Sequence, residues 1–193
     1  MFTTGTYKQV KIPSLTIIST VLAGTLISGG GAGLSKEAAA LQTSVEIHYA
    51  PAENLETIDA ALIDSAQHEI DLAGYVLTDW KLIAALTRAA DRGVAINIYL
   101  DGGMISEDTP SQPLKDLAVT PDVAIKIKPK GAPLMHLKSF EIDGTLLRTG
   151  SANFSASGEK RQDNDLVIVK SSAAAADFKR TFEIIWTQGE ALR

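Results

Sequence analysis

The sequence predicts an α/β fold, and the order of its elements together with its length and composition carries that expectation. Between residues 45 and 100 the apolar pattern switches from period 2 to helical spacing and back, in the order strand, helix, strand, helix, strand, which is the signature of a parallel sheet with crossover helices. The chain has 193 residues, 45% hydrophobic and 21% charged, enough for one ordinary domain with a real core. It has no cysteine, so disulfides, thiolate metal sites and a cysteine nucleophile are excluded. The formal net charge of -5 gives no global basic field, so a site for a polyanion has to be local.

The first forty residues differ from the rest. Lys8 and Lys11 precede a charge-free run whose apolar centre holds Ile17, Ile18, Val21, Leu22, Leu26 and Ile27, followed by a glycine cluster and Ala38-Ala39-Ala40. A basic start, a short apolar segment and an Ala-x-Ala site predict a secretory signal peptide over 1–40; a retained membrane anchor and a buried helix are the competing readings. Export makes the protein periplasmic or secreted, with membrane contact only through this segment. The segment carries Lys8, Lys11 and Lys36 against Glu37, so the domain over 41–193 is more acidic than the whole chain.

That domain opens with alternation over 45–49, a strand that Pro51 breaks. Leu55, Ile58, Leu62, Ile63 and Ala66 recur at helical spacing and predict a helix over 54–67. Residues 69–76 read as the second strand. Thr78 and Asp79 offer an N-cap for a second helix with Leu82, Ile83, Leu86 and Ala90 inward, ended by Gly93. Residues 94–100 form a third, β-branched strand. After a polar stretch with a short helix around 114–117, a strand is expected over 122–127. Lys126, Lys128 and Lys130 then make a local basic run, a candidate funnel for phosphate. Beyond a hairpin over 137–149, residues 165–169 read as a strand. A last helix over 173–186 places Phe178, Phe182, Ile185 and Trp186 on one core-facing stripe.

The chemistry concentrates in residues 135–153. Residues 137–142 are apolar and end in Asp143-Gly144, so they read as a strand entering a tight turn. Residues two apart on a strand share a face, which sets His136, a titratable nitrogen, beside the cation of Lys138. The returning strand brings Gly150-Ser151-Ala152-Asn153 back to the start of the hairpin. A His, a Lys, a Ser and an Asn at one spot suit an oxyanion such as phosphate.

His136-Leu-Lys138, Asp143 and Gly150-Ser151-Ala-Asn153-Phe154 resemble the HxKxxxxD…GSxN signature of the phospholipase D superfamily. Tyr49-Ala-Pro51, Gly74-Tyr75, Arg92-Gly93-Val94…Asp101 and Ile185-Trp186 resemble the family too, so the likeness runs from about residue 44 to 193. Within the family the chain most resembles the small single-motif bacterial endonucleases. The resemblance implies a phospholipase D-like mixed, largely parallel sheet flanked by helices on both faces. A single motif implies a homodimer with one active site across its two-fold axis.

It also implies hydrolysis of a phosphodiester in two steps without metal or other cofactor. One His136 becomes a phosphohistidine, and His136 of the partner subunit protonates the leaving oxygen. Lys138 and Asn153 would bind the non-bridging oxygens, with Ser151 and Lys130 as further substrate contacts. Asp143 belongs to the family's motif, yet turn chemistry alone explains it, and a structural or ion-pairing role is expected. An acid following the Asn orients the histidine in the family. Asp163 stands at about that place, with Asp165 as the other candidate and a slightly shorter loop than usual. His48 and His68 are expected to be incidental. The implied substrate is DNA, or RNA, with a phospholipid head group as the alternative, and a non-catalytic binding protein as a third reading.

Overall fold

The computed structural model describes residues 17–18, 43–105 and 111–192. Apart from Ile17–Ile18 the expected leader lies outside the described residues. No described helix is long and apolar enough to cross a membrane.

The elements follow the chain as β1 (Ile17–Ile18), β2 (Ser44–Ala50), α1 (Leu55–Ser65), β3 (Glu69–Gly74), α2 (Trp80–Asp91), β4 (Ala95–Asp101) and α3 (Gln112–Ala118). After these come β5 (Val123–Lys128), β6 (Lys138–Ile142), β7 (Leu146–Gly150), α4 (Ala156–Lys160), β8 (Asn164–Lys170), α5 (Ser172–Trp186) and β9 (Glu190–Ala191). The short α4 and β9 carry too few periodic residues to be read from sequence. Asp79 caps α2 as expected, its carboxylate accepting from the Lys81 amide at 2.9 Å.

All strands join one sheet in the order β1-β2-β8-β7-β6-β3-β4-β5-β9. The mixed α/β expectation is met, but parallel pairing among the described strands is confined to β3–β4 and β4–β5. Those strands are linked through α2 and α3, and only a crossover of that length can bring a chain back parallel. The rest of the sheet is antiparallel. Its clearest cause is the turn after β6, where the Thr145 amide donates to the Ile142 carbonyl at 3.0 Å. Asp143 and Gly144 are both left-handed there, with φ of 53° and 62°, as a tight hairpin requires.

Alternation along the strands fills two cores. Ile70, Leu72, Ile96, Ile98, Phe140 and Ile142 meet residues of α1 and α2 on one face. Ala73 and Tyr99 meet Phe178 and Phe182 of α5 on the other, so the predicted stripe is core. Register puts five ends at one edge of the sheet: the C-termini of β2, β3 and β7 and the N-termini of β6 and β8. Gly74 pairs with Lys138, Gly150 with Leu166, and Ala50 with Asn164.

Candidate active site

His136 and Lys138 sit at that edge on a segment pinned on both sides of the histidine. The Met135 amide donates to Asp101 Oδ2 at 2.8 Å, and the Leu137 carbonyl accepts from the Tyr75 amide at 2.9 Å. The His136 side chain is exposed, while its backbone has no freedom to wander. Its ring rests against Tyr75, with centroids 4.9 Å apart and planes tilted by 54°. Lys138 is only 6% exposed. Its Nζ donates to the His136 carbonyl at 2.8 Å and lies 5.1 Å from the centre of the Tyr75 ring. Burial pulls its pKa below the usual lysine value.

The Gly150–Asn153 turn is positioned with equal care. Gly150 has φ 139°, and a Cβ there would lie 2.5 Å from the Asp165 carbonyl oxygen, so the close crossing of β7 over β8 needs glycine. The Ser151 and Ala152 amides both donate to that same carbonyl at 3.2 Å. Beyond Asn153, the Phe154 carbonyl accepts from the Thr78 and Asp79 amides at 2.9 and 3.1 Å. Asn153 is therefore held between the buried Ala152 and Phe154. Its Oδ1, an acceptor, is buried without a hydrogen-bond partner among the described residues.

Three of the residues singled out in the sequence are engaged by the scaffold. Asp143 is not in the site. It lies at the far end of β6, five strand residues or about 17 Å from Lys138. There its carboxylate accepts from the backbone amides of Gln67, His68 and Glu69 at 2.9, 2.8 and 2.9 Å, fastening the α1–β3 turn. Burial opposes its charge, but these amides outweigh burial and hold the acid below its ordinary pKa. Ser151 is committed to β8: its hydroxyl lies 2.5 Å from Asp165 Oδ1 and accepts from the Asp165 amide at 2.9 Å. The basic run is divided, because Lys126 Nζ donates to the Trp186 carbonyl at 3.1 Å, at the end of α5, and lies over the Trp186 ring. Lys130 is an exposed residue of the segment between β5 and β6.

Neither candidate acid bonds the His136 ring within the described chain. Asp165 is occupied by Ser151, while Asp163 is exposed at one end of a groove of about 470 Å³ lined by Ile47, Tyr49 and Val167. His68 is at the opposite end of the sheet beside Asp143, and His48 Nδ1 pairs with Glu53 at 2.8 Å.

One arrangement escaped the sequence reading. Arg148, in the middle of β7, is completely buried beneath the site and is bound to Asp59 and Glu159. A lone arginine in an apolar strand with acids on distant helices was the available signal, but nothing in the linear pattern links those positions.

The family described as cardiolipin synthase, PLD-like domain matches residues 60–186. The chain belongs to the phospholipase D-like family. Among curated proteins, a phospholipase D of Rickettsia bellii is 26% identical over 71% of this chain and 66% of its own length. A mitochondrial cardiolipin hydrolase of Drosophila melanogaster is 32% identical over 64% of this chain and 55% of its own. The chain thus spans just under two thirds of the one relative and about half of the other. Two solved structures share the phospholipase D-like fold. The phospholipase D family member Nuc of Salmonella typhimurium has TM-score 0.73 and 24% identity, covering 79% of this chain and 99% of that one. NucT of Helicobacter pylori has TM-score 0.71 and 18% identity, covering 78% and 100%.

Proposed function

We propose that this phospholipase D-like protein is a metal-independent endonuclease that cleaves DNA or RNA through a phosphohistidine intermediate, in an active site shared by two copies. The observation that carries the reading is an exposed imidazole on a clamped backbone, with the buried Lys138 ammonium two residues away. A neutral ring nitrogen of His136 attacks phosphorus, and the bond to the leaving oxygen breaks. That oxygen takes a proton from a second imidazolium. The second imidazole, now neutral, deprotonates water; the water attacks phosphorus, the P–N bond breaks and His136 is restored. Lys138 and Asn153 stabilise the charge that develops on the non-bridging oxygens. Lys138 supplies the positive charge that a metal supplies in other phosphodiesterases.

Two imidazoles are needed, and each chain offers His136 here, since His48 is paired with Glu53 and His68 lies at the opposite end of the sheet. The second comes from a partner copy across a two-fold axis. The groove of Ile47, Tyr49 and Val167 beside Asp163 lies on the face of β2 and β8 opposite α1 and suits such a partner. In the dimer Asp163 is the acid free to orient an imidazole. Lys128 and Lys130 suit a nucleic-acid backbone. A lipid reading has one observation in its favour: Leu134 and Leu137, either side of His136, are 58% and 39% exposed.

Incubation of the purified protein with supercoiled plasmid and, separately, with phosphatidylcholine vesicles, both in EDTA, decides between them. Plasmid nicking that His136→Ala abolishes is expected. Lipid turnover without nicking overturns the nuclease reading, and loss of all activity in EDTA overturns the metal-free mechanism.

A further inference from the structure

The two halves of the site belong to different strands, β6 and the turn after β7, and a single buried side chain bridges them. Arg148 Nη1 donates to the Lys138 carbonyl at 2.8 Å and to the Ala152 carbonyl, the residue before Asn153, at 3.4 Å. Nε and Nη2 grip Asp59 of α1 at 2.9 and 2.6 Å, and Nη2 also reaches Glu159 of α4 at 3.3 Å. Each of the five N–H groups thus has an acceptor. The guanidinium carbon lies 4.7 Å from the ring centre of Phe154, the residue after Asn153.

The charge balance of this cluster fits a permanent fixture. Burial pushes both carboxyls upward, and Glu159, with the Asp59 charge beside it, is pushed up to about 9. Glu159 is the carboxyl that holds a proton at neutral pH, and Asp59 is the one that Arg148 grips through both oxygens. A buried ion pair is a poor device for stability alone, because apolar residues of similar volume often replace one without loss. What apolar residues cannot reproduce is one rigid group donating to two backbone carbonyls on two strands.

We propose that Arg148 is a positioning residue that holds the Lys138 carbonyl and the Ala152 carbonyl in one frame, and so fixes where the Lys138 ammonium and the Asn153 amide stand relative to His136. Its expression in turnover rests on the phosphodiesterase reading. Its structural content does not, and the test has an arm for each.

The variants are Arg148→Met combined with Asp59→Leu, which removes both charges, and Arg148→Lys, which keeps the charge but not the fork. Melting temperature, kcat and KM on bis(4-nitrophenyl) phosphate, and amide hydrogen exchange over residues 138–154 are measured for the full chain. The double variant should melt near wild type. Its kcat should fall about 30-fold or more with KM changed less than about threefold, as displaced catalytic groups dictate. Exchange should accelerate at Ser151 and Ala152 and not in β3 or β4. Arg148→Lys should lose about tenfold in kcat by the same logic. A folded double variant with wild-type kcat overturns the proposal. So does wild-type kcat in Arg148→Lys, which decides the matter if the double variant does not fold. If the wild-type protein fails to turn over any phosphodiester, the functional reading falls, and unchanged exchange at Ser151 and Ala152 in the variants refutes the positioning role independently.

Discussion

Replacing Asp143 should cost stability and leave chemistry alone, although it is the most visible acid of the family motif. Its carboxylate accepts three backbone amides, at 2.9, 2.8 and 2.9 Å. For a partly exposed acceptor about 1 kcal/mol per bond is reasonable, so removing all three costs about 3 kcal/mol. Alanine adds about 1 kcal/mol because the backbone there is left-handed. At about 3 °C per kcal/mol for a domain of this size, Asp143→Ala should melt about 12 °C lower. Asp143→Asn keeps an oxygen for His68 and Glu69, loses the Gln67 bond and tolerates the left-handed backbone, so a drop of about 3 °C is expected. The pH dependence has a definite sign. The folded pKa lies below the unfolded one, so this stabilisation is present above the unfolded value near 4 and fades on acidification. Asp143→Asn should therefore approach wild-type stability at low pH. The assay pairs thermal melts from pH 3 to 8 with plasmid nicking at a temperature where every variant is folded. A folded Asp143→Asn that melts like wild type and has lost about 100-fold in turnover would refute the reasoning, since that loss is characteristic of a general acid or base.

Other perturbations separate site from scaffold. Gly150→Ala should disrupt both, because its Cβ would lie 2.5 Å from the Asp165 carbonyl oxygen; a loss of about 2 kcal/mol by chemical denaturation and a fall in kcat are expected, and wild-type behaviour refutes the close crossing. Glu141 is buried and, with burial the main cause and nearby Glu69 and Asp71 adding to it, is pushed up to about 7. Its folded pKa exceeds the unfolded one, so the wild type loses stability as pH rises from about 4.5 to 7, by about 3 kcal/mol in all. Glu141→Gln should match wild type near pH 4 and be the more stable above pH 7; a constant difference across that range is the contrary outcome. For the shared site, wild-type chains refolded with an equal amount of inactive His136→Ala should keep about a quarter of the activity, because a heterodimer's one centre holds a single imidazole, against about half for chains that act alone; sedimentation of an active monomer excludes the shared arrangement.

How far the site could be read from sequence varies residue by residue. The Asp-Gly turn announces the hairpin that brings Gly150–Asn153 back, but His136 precedes β6 rather than sharing a strand face with Lys138, and what brings both beside Tyr75 is the pinning of the segment by Asp101 and Tyr75. Turn chemistry also foretold a structural Asp143, although its three amide partners lie more than seventy positions earlier. The bond of Ser151 to Asp165 was not legible, because it arises from the β7–β8 register, which local pattern does not encode. Nor was the contact of Lys126 with Trp186, since α5 ends beside β5 only after the sheet has formed.

By itself the sequence determined the α/β class, the two helical crossovers, the hairpin and the residue types gathered at its open end. These depend on periodicity, turn propensity and spacing, which act over a few residues. Tertiary structure alone decided the antiparallel pairing of β2 with β8 and of β3 with β6, the removal of Asp143 to the far end of the sheet, and the buried Arg148 that bridges β6 and the Gly150–Asn153 turn. The physical reason is that a buried charge is tolerated only where its partners converge. Asp59 and Glu159, 89 and 11 residues from Arg148 in the chain, reach it only once α1 and α4 have packed on the same face of the sheet.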